Sequence, residues 1–287
     1  MNLLSIYWNP NRDIFTIPYI DRPVAWYGLF FILGFIIGYW IVVPMFVRLL
    51  KDAGDNRPEA VDECRFLTDK LTWFVIFGTL IGARLGHVFF YYWPYYRAHP
   101  LDIFKVWEGG LASHGGIIGI LIAIFFYTLS VRKKYPTLTF FTIVDVLCIP
   151  SALAGFFIRV GNFINQEILG TETNAPWAVV FGDPADGSIP VPRHPVQLYE
   201  GLAVLFLFFV LWTLWWRTNL RKYVGATTGI FFILLFSSRI LFEHFKESQS
   251  IMRDESWITT GQLLSFPFIL LGLALVYCSL KQKKNCY

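Results

Sequence analysis

Between residues 159 and 170 the chain reads Arg-Val-Gly-Asn-Phe-Ile-Asn-Gln-Glu-Ile-Leu-Gly, directly after a long apolar run. These residue types together can hold an anion and the hydroxyl or amide groups beside it. Arginine offers a planar fork of donors that matches phosphate oxygens, the amides donate and accept, and the glutamate orients the cation. Similar residues recur along the chain. Arg84 and His87 interrupt one apolar run, and His114 sits in Ser-His-Gly-Gly116. Arg193-His-Pro-Val-Gln-Leu-Tyr-Glu200 precedes another run, and Arg239 with Glu243 closes a third. Arg84, Arg159 and Arg239 together suit a phosphate, and a histidine such as His114 supplies a base that would make the site reactive.

Each of these residues has a plainer reading beside the chemical one. Arg239 and Glu243 lie four apart, the spacing of a structural ion pair on one helix face. His114 beside two glycines suits a helix cap, and Arg84 and His87 suit snorkelling toward an interface. Gln197 and Glu200 suit the start of a helix, where a carboxylate meets the positive end of the dipole. What favours chemistry is the setting that must position them.

That setting is a membrane. The 287 residues are 55% hydrophobic and only 15% charged, with mean hydropathy +0.52 and 19% aromatics. A soluble domain carries about 25% charge. Apolar runs near the ~20 residues needed to cross hydrocarbon predict an all-α, polytopic bundle of seven helices in one membrane domain spanning residues 1–287. The expected spans are about 24–47, 71–93, 111–131, 138–158, 197–216, 224–243 and 263–280. Residues 171–196, with the Asp183-Pro-Ala-Asp-Gly187 turn and prolines at 190, 192 and 195, are expected to form a small outer cap. Residues 1–23 lack a basic start and an apolar core, so no cleavable signal peptide is expected.

Basic residues concentrate in alternate linkers, notably Arg132-Lys133-Lys134 and the tail bearing Lys281, Lys283 and Lys284. The positive-inside rule then puts the N-terminus outside and the C-terminus in the cytoplasm. In that orientation Tyr27, Arg84, His87, His114, Arg159, Asn162, Glu167, Arg239 and Glu243 all come to one level, just inside the outer interface. Charged groups at that depth are costly, and by default they mark a functional site. A phospholipid headgroup is the natural ligand. A transporter using the same basic pocket is the competing reading, but it would need polar residues along a whole path, and only Asp145 lies deep on the other side. Gly78, Gly82 and Gly86, like Gly34 and Gly38, have the four-residue spacing of close helix packing. Cys64, Cys148, Cys278 and Cys286 show no metal-ligand spacing, so no metal, cofactor or cysteine nucleophile is expected, and no nucleic-acid partner either.

The motifs resemble those of the bacterial phosphatidylglycerol:prolipoprotein diacylglyceryl transferases. Arg159, Gly161, Asn162, Asn165, Glu167 and Gly170 fall in register with the family signature. Glu108-Gly-Gly-Leu-Ala-Ser-His114-Gly-Gly, Trp26-Tyr27-Gly28, Gly82-Ala-Arg84-Leu-Gly, His194-Pro-Val-Gln197-Leu-Tyr-Glu200 and the Arg239–Glu243 pair are similar too. The chain departs from the family at Ile158, at Leu235, at Ser237-Ser238 and in the segment after Glu243, where His244-Phe-Lys246-Glu-Ser-Gln stands in place of the usual Arg-x-Pro-Asp. The resemblance implies transfer of a diacylglyceryl group from phosphatidylglycerol to the lipobox cysteine of a prolipoprotein signal peptide in the bacterial inner membrane. The active site would face the outer leaflet. It further implies catalytic roles for His114, Arg239 and Glu243, and binding of phosphatidylglycerol by Arg159, Asn162, Tyr27, Arg84, Glu167 and Gly170. The partners implied are that lipid, prolipoprotein signal peptides and surrounding membrane lipids.

Overall fold

The computed structural model describes residues 6–19, 21–247 and 259–284. It is mostly helical: α1 (Trp26–Asp52), α2 (Ala60–Phe90), α3 (Trp93–Ala98), α4 (Ser113–Val131), α5 (Phe140–Asn165), α6 (Val196–Arg217), α7 (Ala226–Glu243) and α8 (Thr260–Lys284). Among the described residues seven of these, all but α3, are long and apolar enough to cross a membrane. The expected class, a polytopic helical membrane protein, is therefore what the fold shows. Large apolar side chains such as Phe77, Phe89, Leu202, Phe206 and Leu270 lie exposed on these helices, as lipid solvation permits.

Several helices run further than their apolar stretches, α2 and α5 the most. α2 begins at Ala60 rather than near residue 71, and α5 continues to Asn165 rather than stopping near 158. A helix satisfies its backbone locally, so it need not end where the apolar residues do. The consequence is specific: Arg159, Asn162 and Asn165 sit inside the last turns of α5 instead of following it.

The chain forms two compact units, Met1–Gly38 with Leu147–Tyr287, and Tyr39–Val146. In the second unit α2 packs against α4 through small residues. A Cβ added at Gly82 would collide with the Gly115 carbonyl oxygen and lie 2.7 Å from the Gly119 Cα. One at Gly86 would lie 2.7 Å from the Gly115 Cα, and one at Gly78 2.6 Å from the Ala123 Cβ. Backbone meets backbone here. The loop before α2 is clasped by charge: Arg57 reaches Asp55 at 2.7 Å and Glu63 at 3.2 Å, and Glu63 also accepts from the Tyr135 hydroxyl at 2.7 Å. The hydrogen bond from Arg57 holds the Asp55 carboxyl down at about 2.

In the first unit the small-residue pattern of α1 meets α5, where a Cβ at Gly34 would lie 3.3 Å from the Ala154 Cβ. α7 and α8 make a similar contact at Gly229 and Gly272. This unit also carries strands. β1 (Ile6–Trp8) pairs in parallel with β4 (Val179–Phe181), which pairs antiparallel with β5 (Pro192–Arg193). β2 (Asp13–Ile17) and β3 (Arg22–Ala25) form a ribbon leading directly into α1. The three-stranded sheet packs on the end of α5: Trp8 stacks on Phe163 at 4.7 Å and donates its indole N–H to the Phe163 carbonyl at 3.0 Å. Leu169, Val179 and Phe181 complete that small core.

Replacing Gly82 by leucine should lower the thermal stability of the purified protein by at least the ~1–3 kcal/mol typical of overpacking, because backbone cannot yield as side chains do. Ile118→Leu, on an exposed position of α4, is the control expected to leave the melting temperature unchanged.

Candidate functional site

The polar run that ends α5 folds back on itself. Gln166 and Ile168 adopt left-handed backbone, with φ of 57° and 56°, and turn the chain sharply after Asn165. The Glu167 amide donates to the Asn162 carbonyl at 2.9 Å, so the Glu167 side chain returns toward the helix it has just left. Its carboxylate is gripped on both oxygens, by Asn162 Nδ2 at 2.9 Å and Asn165 Nδ2 at 3.1 Å. Asn162 in turn accepts from Arg159 Nη1 at 3.1 Å. α6 adds two supports. Gln197 Nε2 donates to the Glu167 carbonyl at 2.7 Å, and the Glu200 carboxylate meets Arg159 Nε at 2.9 Å.

Glycines bring this network into contact with its neighbours. A Cβ at Gly161 would lie 2.6 Å from the Tyr27 ring, so Tyr27 packs against the helical turn that carries Asn162. A Cβ at Gly170 would collide with the His194 carbonyl. Gly170 instead forms a bridge with Lys246, flanked by hydrogen bonds from the Thr171 amide to the Phe245 carbonyl at 2.8 Å and from the Glu247 amide to the Leu169 carbonyl at 3.1 Å. Arg193 secures the same corner, donating to the Gly170 carbonyl and to Glu247.

That bridge delivers a residue that sequence reading did not single out. The Lys246 ammonium lies 2.6 Å from Glu200 Oε1 and 3.5 Å from Glu243 Oε2. Arg159, Glu200, Lys246 and Glu243 thus form one alternating chain of charge. Glu243 is further enclosed by α8, where a Cβ at Gly261 would strike its carboxylate. Arg239, one turn earlier on α7, is exposed and makes no ion pair with Glu243 or any other described residue, so the i,i+4 pair suggested by the spacing is not what the helix forms. Tyr27, Arg159, Asn162, Glu167, Gly170 and Glu243 are all tied into this cluster, with Arg239 on the same helix as Glu243. Glu200, Gln197 and Lys246 complete it.

Arg84 and His114 belong to the other unit. Arg84 is only 4% exposed, and its guanidinium is spent on backbone carbonyls: Nε on Ile103 at 2.9 Å, Nη2 on Asp102 at 2.5 Å, and Nη1 on Gly109 at 2.6 Å and Gly110 at 3.3 Å. Its remaining face covers the Tyr96 ring at 5.1 Å. Expected as a phosphate ligand, it here has its donors already engaged, and the geometry is that of a clamp on residues 102–110. Gly109 and Gly110, with φ of 88° and 71°, let both carbonyls turn inward. Beside the clamp, hydrogen bonds from Lys105 and Tyr95 hold the Asp102 carboxyl below the usual carboxylate range. The clamped segment leads to Ala112, whose amide donates to the Ala83 carbonyl at 2.9 Å, and so to His114 in the first turn of α4. The His114 imidazole is exposed and lies against the rings of Phe90 at 5.2 Å and Tyr91 at 5.8 Å. A cavity of about 270 Å³ lies beside the clamp, bounded by His87, Tyr92, Tyr95 and Tyr96.

Comparison with known proteins matches residues 13–278 to the family described as prolipoprotein diacylglyceryl transferase. Curated relatives named phosphatidylglycerol--prolipoprotein diacylglyceryl transferase are similar over almost their whole length. The one from Protochlamydia amoebophila is 43% identical over 96% of this chain and 95% of its own. That from Tolumonas auensis is 41% identical over 97% and 99%, and that from Chlamydia trachomatis 36% over 97% and 100%.

Arg84→Gln removes most of the donors that hold the 102–110 carbonyls. Hydrogen exchange followed by mass spectrometry should then show faster exchange across residues 102–112 and unchanged protection in the middle of α6. Equal exchange in the variant and the parent would show that the clamp does not hold the segment.

Proposed function

The chain belongs to the prolipoprotein diacylglyceryl transferase family, and from that footing we propose that it moves the diacylglyceryl group of phosphatidylglycerol onto the lipobox cysteine thiol of prolipoproteins, releasing glycerol phosphate in the first step of lipoprotein maturation. The observation that carries the chemistry is the state of Arg159. Its Nε and Nη1 are engaged by Glu200 and Asn162, while Nη2 has no partner among the described residues and the side chain keeps 24% exposure. The guanidinium is therefore fixed in direction with one edge still able to take a phosphate oxygen. Arg239, exposed and unpaired among the described residues, is the second cation.

The reaction is a displacement at carbon. A thiol with pKa ~8.5 is a weak nucleophile until it loses its proton, and His114 is the assigned acceptor. The thiolate attacks the glyceryl carbon that bears the phosphate ester, and a C–S bond forms as the C–O bond breaks. The electron pair stays on the phosphate oxygen, and glycerol phosphate departs with one more negative charge than the diester had. Arg159 and Arg239 stabilise that developing charge, which is where fixed donors contribute most. Asn162 and Glu167 orient Arg159. Tyr27 shapes the wall beside them, Gly170 admits the Lys246 strand, and Glu243 balances the cations. Arg84 acts earlier in the chain of support, by fixing the segment that carries His114. The alternating basic loops support a multi-pass protein of the bacterial inner membrane with its N-terminus outside, its C-terminus in the cytoplasm and its site toward the outer leaflet. Phosphatidylglycerol and prolipoprotein signal peptides are its substrates, and membrane lipids surround it.

Purified protein incubated with phosphatidylglycerol and a lipobox peptide should raise the peptide's mass by one diacylglyceryl group. Arg159→Ala and Arg239→Ala should each lower the rate about 10²–10³-fold. Full lipidation by both variants would overturn the assignment. His114→Gln should cost about 10²-fold near neutral pH, with the deficit shrinking as pH rises through the thiol's own ~8.5 and the thiol ionises unaided.

A further inference from the structure

The charge chain contains one member whose part is not explained by binding or displacement. Glu200 is almost buried, at 8% exposure, and both its oxygens are committed, Oε2 to Arg159 and Oε1 to Lys246. Arginine and carboxylate prefer a two-pronged pairing in which one carboxylate takes two parallel N–H donors. Here the pairing has one prong. Arg159 approaches Glu200 most closely through Nε, and Nη2 makes no hydrogen bond to a described residue. What occupies the second oxygen is the Lys246 ammonium, 2.6 Å away and only 13% exposed. Its position is not left to a flexible stem, because its backbone is bridged to Gly170 and its charge is also balanced by Glu243 at 3.5 Å.

We propose that Lys246 is a positioning residue that keeps Arg159 available: by holding one oxygen of Glu200, it prevents that carboxylate from closing onto both prongs of the guanidinium and taking the Nη2 edge a phosphate needs. Without an ammonium at 246, the freed oxygen sits within a side-chain rotation of Nη2. A carboxylate that is 8% exposed gains more from hydrogen-bonding the guanidinium than from the little water that reaches it. The site would then be closed by its own counter-ion. The proposal rests on the reading of Arg159 as the phosphate-binding arginine and adds the device that keeps it open.

The distinguishing test is a pair of substitutions, assayed on the intact purified protein. Rates of peptide lipidation are measured against the mole fraction of phosphatidylglycerol in mixed micelles, and retention of a short-chain phosphatidylglycerol is measured in parallel by native mass spectrometry. Lys246→Met should raise KM for the lipid about tenfold or more with kcat within about threefold, and should weaken retention of the lipid to match. Lys246→Arg, which keeps a cation on Glu200, should stay within about threefold of the parent in both measurements. Adding Glu200→Gln to Lys246→Met should recover much of the lost affinity, since a neutral amide does not capture the guanidinium. A Lys246→Met variant with unchanged KM and retention overturns the proposal, and so does a double variant that binds lipid no better than Lys246→Met alone. Simple loss of a structural contact predicts that second result. If Lys246→Met does not give monodisperse protein, Lys246→Gln with and without Glu200→Gln carries the same comparison. A parent protein that retains the lipid but transfers nothing would refute the transferase reading, while the retention series still decides the role of Lys246.

Discussion

A carboxylate withdrawn from water must be answered by a cation, and Glu200 is answered by two. This one requirement organises the first unit of the protein. Arg159 comes from the last turns of α5, Glu200 from the first turn of α6, and Lys246 from the strand-like segment beyond α7. Arg159 and Glu200 have no partner of opposite charge beside them in sequence, and Lys246 makes its shorter contact with Glu200 rather than with nearby Glu243, so the three segments depend on one another for neutralisation. Breaking a buried pair by removing one partner typically costs about 3–5 kcal/mol, because a charge is left uncompensated. The positions of α5, α6 and the end of α7 are therefore bound together by the same contacts that aim Arg159.

Arginine takes two contrasting roles in this protein. Arg84 meets no acidic side chain; it is satisfied by carbonyls of a loop folded around it and by the face of Tyr96. Its charge stabilises a backbone shape. Arg159 meets one carboxylate and one amide and keeps an edge in reserve. The difference lies in the number of acceptors supplied rather than in the residue. A clamp has nearly as many acceptors as the guanidinium has donors, and Arg159 is supplied with fewer.

Composition and hydropathy were enough to read seven spans, because lipid solvation writes itself into long apolar runs. The polar run at 159–170 was legible for the complementary reason, since nothing in an apolar setting tolerates it without purpose. The small-residue spacing of Gly78, Gly82 and Gly86 also carried over directly into the α2–α4 contact. Three things were not legible. The extent of α5 was missed because hydropathy marks burial in lipid and not helical geometry. Arg84 could not be separated from Arg159, since both are arginines among apolar residues and only the fold tells which carbonyls surround one of them. Lys246 was invisible as well, because its partners lie far away along the chain, at Glu200 and across the bridge to Gly170. The one local signal was a lysine three residues after Glu243, a spacing that many surface helices share.

Gln166 ties the turn after α5 to the segments that leave β1 and β4, at one end of the first unit's sheet. Its side-chain amide donates to Asn9 Oδ1 at 3.0 Å and accepts from the Asp183 amide at 2.8 Å, while its carbonyl takes the Ala185 amide at 3.0 Å. The partners on its first side lie 157 positions away in the sequence. Contacts of such separation form late, because the loop they close must be ordered before they repay it. A chain made from its N-terminus keeps Ile6–Trp8 without its neighbouring strand until Val179–Phe181 has been synthesised, after the four spanning helices α1, α2, α4 and α5. The turn after α5 is thus held by contacts that can form only after α1, α2, α4 and α5 have all been made.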